Sequence, residues 1–219
     1  MNETTRVNDT TSLKDITHIF FDIGGVLGSN GWDHEQRERA VKQFDLNAED
    51  LEWRHKEVVG EWEEGGISLE EYLEIAVFYE PRRFSREEFV AFMHSQSIPD
   101  DDTIAIAREL SRHTHYSLMT LNNESEALNI HRIEKFGLSD IFEAFLSSCW
   151  LGVRKPIRRI YNRSLGIAHA KPERSLFIDD RHQNIISAGM VGMHVLHFES
   201  AAKLRLDLER VLHLEIPGA

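Results

Sequence analysis

The sequence has a single cysteine, few basic residues and no long apolar run. Cys149 cannot form an internal disulfide within these 219 residues, so we expect a reducing compartment, the cytoplasm, and a packing role for this thiol. Lys and Arg number 25 against 37 Asp and Glu, which gives a net charge of −12. That balance argues against nucleic acid or an anionic membrane as a partner, because both are polyanions. No apolar stretch approaches the ~20 residues that a membrane span needs.

The first 14 residues lack the apolar segment of a secretory signal. Their sequence, MNETTRVNDTTSLK, is polar throughout, and we expect a disordered tail. The hydrophobic share of the chain is 41%, which suits one domain or a core domain that carries an insertion. Nothing in the pattern predicts an oligomeric state.

What the sequence does contain is an alternation of short apolar runs and amphipathic segments. Five runs predict strands because they are short, apolar on both faces and bounded by polar residues or glycine; they cover 16–22, 116–120, 142–148, 175–180 and 194–198. Helical periodicity covers 100–113, 124–137, 156–166, 182–192 and 200–212. This order predicts an α/β fold with a doubly wound parallel sheet that is covered on both faces.

Between the first strand and residue 100 the pattern is helical only. Four amphipathic segments follow one another at 32–45, 48–64, 68–79 and 85–96. We predict that residues 29–97 form a helical cap, inserted into a core made of residues 15–28 and 98–219. Trp32, His34 and Arg37 are candidates to lie over a substrate, although Trp32 equally fits the interior of the cap and the charged residues fit a solvated helix face.

Residues with chemical functions follow four of the five predicted strands. In chain order they are Asp22, then Thr120 with Asn122 and Asn123, then Lys155, and finally the pair Asp179 and Asp180. Ligands of open α/β sheets bind outside the carboxyl ends of the strands, so neighbouring strands would bring these groups to one rim. Three carboxylates together need a counter-charge, which Mg²⁺ supplies through oxygen ligands. The pattern therefore predicts a Mg²⁺ site beside a bound phosphate, with Asp22 able to attack phosphorus and form an aspartyl-phosphate.

The same stretches resemble the haloacid dehalogenase-like (HAD) hydrolases over about residues 16 to 200. FFDIGGVL is similar to the first motif of that family, SLMTLNN to the second, GVRKPIRRIY to the third and LFIDDRHQNIISAGMVGM to the fourth. The resemblance implies a Rossmann-like core, and the insertion resembles the family's small α-helical cap. Within the family, the stretches look most like those of sugar phosphatases of the bacterial glucose-1-phosphatase type.

The resemblance also implies a role for each matching residue. Asp22 becomes the nucleophile, Thr120 a phosphate-binding hydroxyl and Lys155 the phosphate-binding cation. The implied metal ligands are Asp22, the Gly24 carbonyl and Asp180, with Asp179 in support. Gly25 is an expected substrate contact, and the register leaves open whether Asn122 or Asn123 takes the amide role of the second motif. Asn184, one helical turn beyond Asp180, matches a position that often faces the site.

One position departs from the family pattern. Most phosphatases of the family have a second aspartate two residues after the nucleophile, where it protonates the leaving group, and this sequence has Gly24 there. The Gly24 carbonyl can still bind a metal, but the proton shuttle is lost. General acid–base catalysis is typically worth ~10²–10⁴-fold, or about 3–5 kcal/mol of barrier.

Three explanations for this departure remain open. A leaving group that needs little protonation, such as an anomeric or acyl phosphate, would need help only from His34, His182 or a water. A metal-free 2-haloacid dehalogenase would release a halide without any proton. A degenerate phosphatase would bind without turnover. We favour the first explanation, which predicts a Mg²⁺-dependent phosphomonoester hydrolase for a small phosphorylated metabolite, with a sugar phosphate as the leading example.

Overall fold

The computed structural model describes residues 15–113 and 115–214, and the tail predicted for residues 1–14 lies outside them. Five parallel strands form one sheet in the order β3-β2-β1-β4-β5. They are β1 (His18–Phe21), β2 (Ser117–Thr120), β3 (Ala144–Phe145), β4 (Ser175–Asp179) and β5 (His194–His197). The predicted parallel α/β sheet is therefore confirmed, with β1 at its centre.

Helices cover both faces of this sheet and fill the long connection between β1 and β2. Within the described ranges they are α1 (His34–Phe44), α2 (Ala48–Glu63), α3 (Leu69–Ala76), α4 (Arg86–Ser95), α5 (Asp101–Ser111), α6 (Glu126–Lys135), α7 (Ser148–Leu151), α8 (Arg158–Ile167), α9 (His182–Met190) and α10 (Ala201–Leu212). The short α7 was not predicted. None of the helices in these ranges has the length and apolar character that crossing a membrane requires.

The third strand is much shorter than the predicted run at 142–148. β3 spans only Ala144 and Phe145, and it is an edge strand that pairs with Met119 and Thr120 of β2 alone. The apolar residues on either side of it, Phe142 and Leu146, are buried in the core without belonging to the strand. The apolar run at 142–148 therefore indicates which residues are buried, and it does not indicate how long the strand is.

Alternate residues of β1 pack on opposite faces of the sheet. Ile19 and Phe21 belong to a cluster that includes side chains of α5 and α10, whereas Phe20 joins Phe177 and side chains of α8 and α9. These side chains are fully buried, and burying one of this size contributes about 1.5–3 kcal/mol. Asp22 follows directly, so well-packed residues fix its place at the carboxyl end of the central strand.

The four helices of the cap, residues 29–97, share a hydrophobic cluster of their own. Trp32 and Tyr72 are among its buried members, and Leu128 of α6 reaches it from the core. Ser68 and Ser85 form capping boxes that fix where α3 and α4 begin. The cap is thus internally packed and also rests on the core.

The chain enters and leaves the cap along two adjacent backbone segments. The Ser29 N–H donates to the Ile98 carbonyl at 2.8 Å, and the Ser29 hydroxyl donates to the Gln96 carbonyl at 2.6 Å. Gly28 pairs with Pro99 in an antiparallel bridge. A Cβ at residue 28 would lie 2.6 Å from the Ile98 carbonyl oxygen, so this close approach requires glycine. The two connections are therefore held side by side.

Candidate active site

The carboxyl ends of β1 and β4 bring three carboxylates together. Asp22, Asp179 and Asp180 each offer an oxygen, and these oxygens lie within 4.8 Å of one another. Lys155, from the loop before α8, stands between two of them. Its Nζ is 2.8 Å from Oδ1 of Asp22 and 2.7 Å from Oδ2 of Asp179, and all three side chains are buried.

Neighbouring polar groups fix the members of this cluster. Oδ1 of Asp179 accepts a hydrogen bond from the Arg181 N–H at 2.8 Å, and the Asn184 side-chain amide lies 3.0 Å from both of its carboxylate oxygens. Asn123 accepts from the Lys155 N–H at 2.8 Å and donates to the Lys155 carbonyl at 2.9 Å. The ammonium and the carboxylate that it contacts are therefore positioned before any ligand arrives.

The cluster holds more acid groups than cations. Burial raises the pKa of the Asp22 carboxyl, Lys155 opposes that change, and Asp179 adds to it. Burial alone would lower the pKa of Lys155, but Asp179 and Asp22 outweigh it and raise that pKa. Burial raises the pKa of Asp180 as well, with a further contribution from Asp179. Lys155 thus stays charged and directly contacts two of the three acids, Asp22 and Asp179.

A divalent cation fits the remaining negative charge. Oδ1 of Asp180 is buried without a hydrogen-bond partner, a condition that costs about 1–3 kcal/mol if nothing binds the atom. Gly25 has φ of 77°, and a Cβ there would lie 2.6 Å from Cγ of Asp180, so the loop after β1 closes tightly on this carboxylate. Carboxylate and carbonyl oxygens suit Mg²⁺. Asp22, Asp180 and the Gly24 carbonyl are the groups that would hold it.

A cavity of about 620 Å³ opens above the cluster, between the end of the sheet and the cap. Asp22, Lys155 and Asn123 line it from the core, whereas Trp32 and Trp62 line it from the cap. A volume of this order accommodates a small metabolite.

The cap wall of the cavity is aromatic and internally hydrogen-bonded. The Trp32 indole N–H donates to the Tyr72 hydroxyl at 2.7 Å, and Nδ1 of His55 lies 2.9 Å from the same hydroxyl. Trp62 stacks on Tyr72 with 3.8 Å between ring centroids. Burial and then Arg37 lower the pKa of His55 to about 4, so this imidazole is neutral at pH 7. The aromatic rings and the neutral imidazole therefore add no net charge to the wall.

Comparison with known protein families identifies the fold and the chemistry class. The family model described as haloacid dehalogenase-like hydrolase matches residues 16–192. This chain belongs to the haloacid dehalogenase-like hydrolases. Of the strand-end residues that resemble the family motifs, Asp22, Lys155, Asp179 and Asp180 form the cluster below the cavity.

Curated relatives of this hydrolase include two phosphate-ester hydrolases. Glyceraldehyde 3-phosphate phosphatase of Pyrococcus furiosus is 34% identical over 36% of this chain and 33% of its own length. Flavin mononucleotide hydrolase 1 of Arabidopsis thaliana is 30% identical over 76% of this chain and 67% of its own length. The match spans a third or less of the length of the first three curated relatives.

Solved structures share the fold of the hydrolase at low sequence identity. A HAD family enzyme from Bacteroides thetaiotaomicron, in complex with magnesium and inorganic phosphate, has a TM-score of 0.70 and 21% identity over 84% of this chain and 94% of its own. L-2-haloacid dehalogenase from Xanthobacter autotrophicus, with chloropropionic acid covalently bound, has a TM-score of 0.60 and 18% identity over 89% of this chain and 83% of its own. At these identities the likeness concerns the fold alone.

Thr120 of the hydrolase does not line the cavity. Its partner in the sheet register is Phe21, one residue before Asp22, and Phe21 packs on the sheet face opposite to Phe20. Because successive residues of a strand point to opposite faces, Thr120 points away from the side on which Asp22 meets Lys155. The Thr120 hydroxyl is buried without a partner. Its assignment to the phosphate stays a prediction that this geometry does not support.

Two further predicted contacts make internal hydrogen bonds instead of lining the cavity. The Asn122 amide donates to Asn129 at 2.9 Å and accepts from the Ser147 hydroxyl at 2.8 Å. The Gly25 N–H donates to the Gly28 carbonyl at 2.8 Å. Of the two asparagines considered for the second motif, Asn123 is the one on the cavity wall.

Among the histidines considered as helpers, only His182 lines the cavity. His34 is exposed and contacts Glu38 and Glu52. Cys149 makes a poor nucleophile, because burial raises the pKa of its thiol to about 12. The packing interpretation of this cysteine fits that environment.

Sequence reasoning missed several charged residues on the cavity wall. They are Glu63, Glu124, Arg132, Arg154 and Arg181. Glu124 and Arg132 are buried, although charged residues at the start and on the face of an amphipathic helix usually meet solvent. A weak signal was available, because the stretch from Asn122 to Glu124 is polar directly after a strand whose end was expected at the active site.

Proposed function

We propose that this hydrolase is a Mg²⁺-dependent phosphatase that acts through an aspartyl-phosphate on a small phosphorylated metabolite. The observation that carries the proposal is the buried cluster of Asp22, Asp179 and Asp180 around Lys155. A site of three carboxyl groups with one fixed ammonium suits a cation and a phosphate together better than it suits an uncharged substrate. The curated phosphatase relatives support the same chemistry.

The residues of the chain have separate tasks in this reaction. Asp22, as the carboxylate, attacks phosphorus, the ester P–O bond breaks, and water later hydrolyses the aspartyl-phosphate. Lys155 donates to phosphate oxygens, since an ammonium has three donors and two point at Asp22 and Asp179. Asn123 keeps Lys155 in place through its backbone. Mg²⁺ held by Asp22, Asp180 and the Gly24 carbonyl would offset the charge of the phosphate oxygens.

The rest of the substrate is small, hydroxylated and without a second anionic group, with a sugar monophosphate as our proposed example. Two arginines that line the cavity already have partners: Arg37 of the cap is 2.7 Å from Glu52, and Arg154 of the core is 2.9 Å from Glu63. Neither cation is therefore free to receive a second phosphate or a carboxylate. Two indoles among polar groups suit a sugar ring, which offers both C–H and hydroxyl surfaces.

A phosphate-release screen tests the proposal against its alternatives. Sugar monophosphates, acyl phosphates, nucleotides and 2-chloropropionate are incubated with the enzyme, with Mg²⁺ or with excess EDTA. We expect phosphate release from at least one phosphoester with Mg²⁺ and loss of that release in EDTA. Turnover of 2-chloropropionate in EDTA would instead identify a dehalogenase, and phosphate binding without release from any ester would identify a binding protein.

Replacement of the nucleophile gives the largest expected loss of activity. Asp22→Asn should lower phosphate release by at least about 1,000-fold, because an amide cannot form the acyl phosphate. Asp100→Asn is the matched control: Asp100 caps α5 by accepting from the Thr103 N–H, and Asn caps a helix equally well. The control should keep the activity of the wild type, and full activity of Asp22→Asn would exclude the covalent mechanism.

A further inference from the structure

Residue 24 is a glycine, so the acids that could donate a proton to a leaving group are the other ones that line the cavity in the described part of the chain. Asp22 is the nucleophile. Asp33 is 43% exposed and pairs with Arg181 at 2.9 Å, and Glu63 pairs with Arg154 at 2.9 Å. Each of these two carboxylates is partly exposed and already forms an ion pair with an arginine. The remaining carboxyl on the wall is Glu124.

Glu124 is buried directly before α6. Its side chain is 8% exposed, its Oε1 accepts from the Ser125 N–H at 2.9 Å, and its Oε2 faces Nη1 of Arg132 at 3.3 Å. Burial raises the pKa of the Glu124 carboxyl to about 7, Arg132 opposes that change, and Glu63 adds to it. A carboxylic acid that holds its proton near neutral pH in a substrate cavity is a typical general acid.

The position of Arg132 links Glu124 to the loop that follows Asp22. A Cβ at residue 24 would lie 3.6 Å from Nη1 of Arg132. A Cβ at Gly31 would lie 2.7 Å from Oε2 of Glu124 and 2.8 Å from Nη1 of Arg132. Arg132 therefore lies within contact distance of residue 24, and the lack of a side chain at Gly31 leaves the space that the Glu124–Arg132 pair occupies. Arg132 also donates to the Ser29 carbonyl, which fixes the pair against the same loop.

We propose that Glu124 is the general acid and base of this hydrolase, held on the cavity wall by Arg132, which lies beside Gly24. The inference rests on the proposed phosphatase function. It explains how a chain without an acid at residue 24 turns over esters whose leaving group requires a proton.

The proton transfers balance over the two steps. An oxygen of Asp22 forms a bond to phosphorus, the ester P–O bond breaks with its electron pair on the leaving oxygen, and the Glu124 proton moves to that oxygen to give the alcohol. In the second step a water oxygen bonds to phosphorus, and the Asp22–phosphorus bond breaks with its pair on Asp22. The proton that this water loses returns to Glu124, so the acid is restored and inorganic phosphate leaves.

Two esters with different leaving groups separate this role from a structural one. Glucose 6-phosphate releases an alkoxide that needs a proton, whereas p-nitrophenyl phosphate releases a stable phenolate. For Glu124→Gln we expect a ~10²-fold lower kcat on glucose 6-phosphate. On p-nitrophenyl phosphate the first step should persist while the second is slow, which gives a burst of about one nitrophenolate per enzyme by stopped-flow absorbance.

Two more variants keep this test decisive. Glu126→Gln removes an exposed carboxyl from the first turn of the same helix, where it accepts from the Trp150 indole, and it should show normal kcat and no burst. Glu124→Asp keeps a negative partner for Arg132 but retracts the carboxyl, and it should lose more activity on glucose 6-phosphate than on p-nitrophenyl phosphate.

The outcomes also distinguish this inference from the proposed function. Equal losses on both esters without a burst, in folded Glu124→Gln or in Glu124→Asp, overturn the role of Glu124 while phosphatase activity of the wild type stands. A wild-type enzyme that releases phosphate from neither ester, nor from any other in the screen, overturns both.

Discussion

The two walls of the cavity differ in chemistry. The core wall contains buried charges in direct contact, as in Asp22, Lys155 and Asp179, whereas the cap wall combines aromatic rings around the Tyr72 hydroxyl with charged residues such as Arg37 that already have partners. Buried charges are stable only with partners, so the core wall is suited to charged ligands. The cap wall is complete without one and suits the neutral part of a substrate. In the proposed function, the core would therefore bind the group that is transferred, and the cap would contact the rest of the substrate.

Lys155→Met breaks the core wall and should have the largest effect on stability. The variant leaves Asp22 and Asp179 buried without their cation, so we expect the free energy of unfolding in EDTA to fall by about 3–5 kcal/mol. Urea denaturation measures this, and Mg²⁺ should restore more stability to the variant than to the wild type. Lys203→Met, which removes a partly exposed ion pair with Asp207, should cost less than about 1 kcal/mol. Similar losses in both variants would contradict the role of Lys155.

Gly25→Ala tests how closely the loop after β1 is fitted to the core wall. Gly25 and Gly137 have φ of 77° and 62°, so alanine at either position carries a conformational cost of about 1–2 kcal/mol. At Gly25 the new Cβ also meets Asp180, whereas at Gly137 nothing lies within 4 Å. We expect Gly25→Ala to lose more stability than Gly137→Ala in thermal denaturation, and to lose Mg²⁺ affinity by calorimetry. Equal losses of stability in the two variants would mean that the loop after β1 shifts to accommodate the new Cβ.

His55 in the cap wall should make the free energy of unfolding depend on pH in the acid range. Its pKa is about 4 in the folded chain against an ordinary 6.5, so between these values the unfolded chain binds more protons. Its contribution to the free energy of unfolding is therefore full above pH 6.5 and falls by up to about 3 kcal/mol as the pH drops to 4. The raised pKa of Glu124 gives the opposite slope from about pH 4.5 to 7, so the profile of His55→Gln must be subtracted from that of the wild type. If the difference between the two stability profiles does not change with pH, the pKa of His55 is not lowered and the side chain is in contact with water.

Tyr72→Phe alters the cap wall with the smallest effect. It removes the acceptor of the Trp32 indole N–H and the partner of His55, at a cost of about 1–3 kcal/mol. Because the core wall is untouched, KM should change more than kcat in steady-state assays. Tyr79→Phe, at an exposed hydroxyl that contacts Asp50, is the control and should leave both constants unchanged. A larger change in kcat than in KM for Tyr72→Phe would contradict the division between the walls.

The sequence predicted the fold and the acids at the strand ends because both depend on local pattern. An apolar run that ends in a carboxylate, as before Asp22 and Asp179, identifies a buried strand and its carboxyl end together. The register after β2 could not be predicted. A shift of one residue moves a side chain to the other face, and Thr120, Asn122 and Asn123 are all polar enough to fit.

The missed residues depend on packing between distant segments. Arg132 follows the helical period of α6 like a solvated residue, and it is buried because Ser29 and Gly31 at the base of the cap lie over it. Glu124 is covered in the same way, with the Glu63 carbonyl and Ser148 nearby. Neither contact has a signature in the local sequence, since each joins residues far apart in the chain.

The paired connections at Ser29 and Ile98 bring the two ends of the cap together at one place on the core. The chain departs from the core and returns to it at one point, so everything between these residues can differ in length or helix number without altering how β1 pairs with β2 and β4. A change in length or helix number within this segment would therefore leave the reactive groups at the strand ends in place.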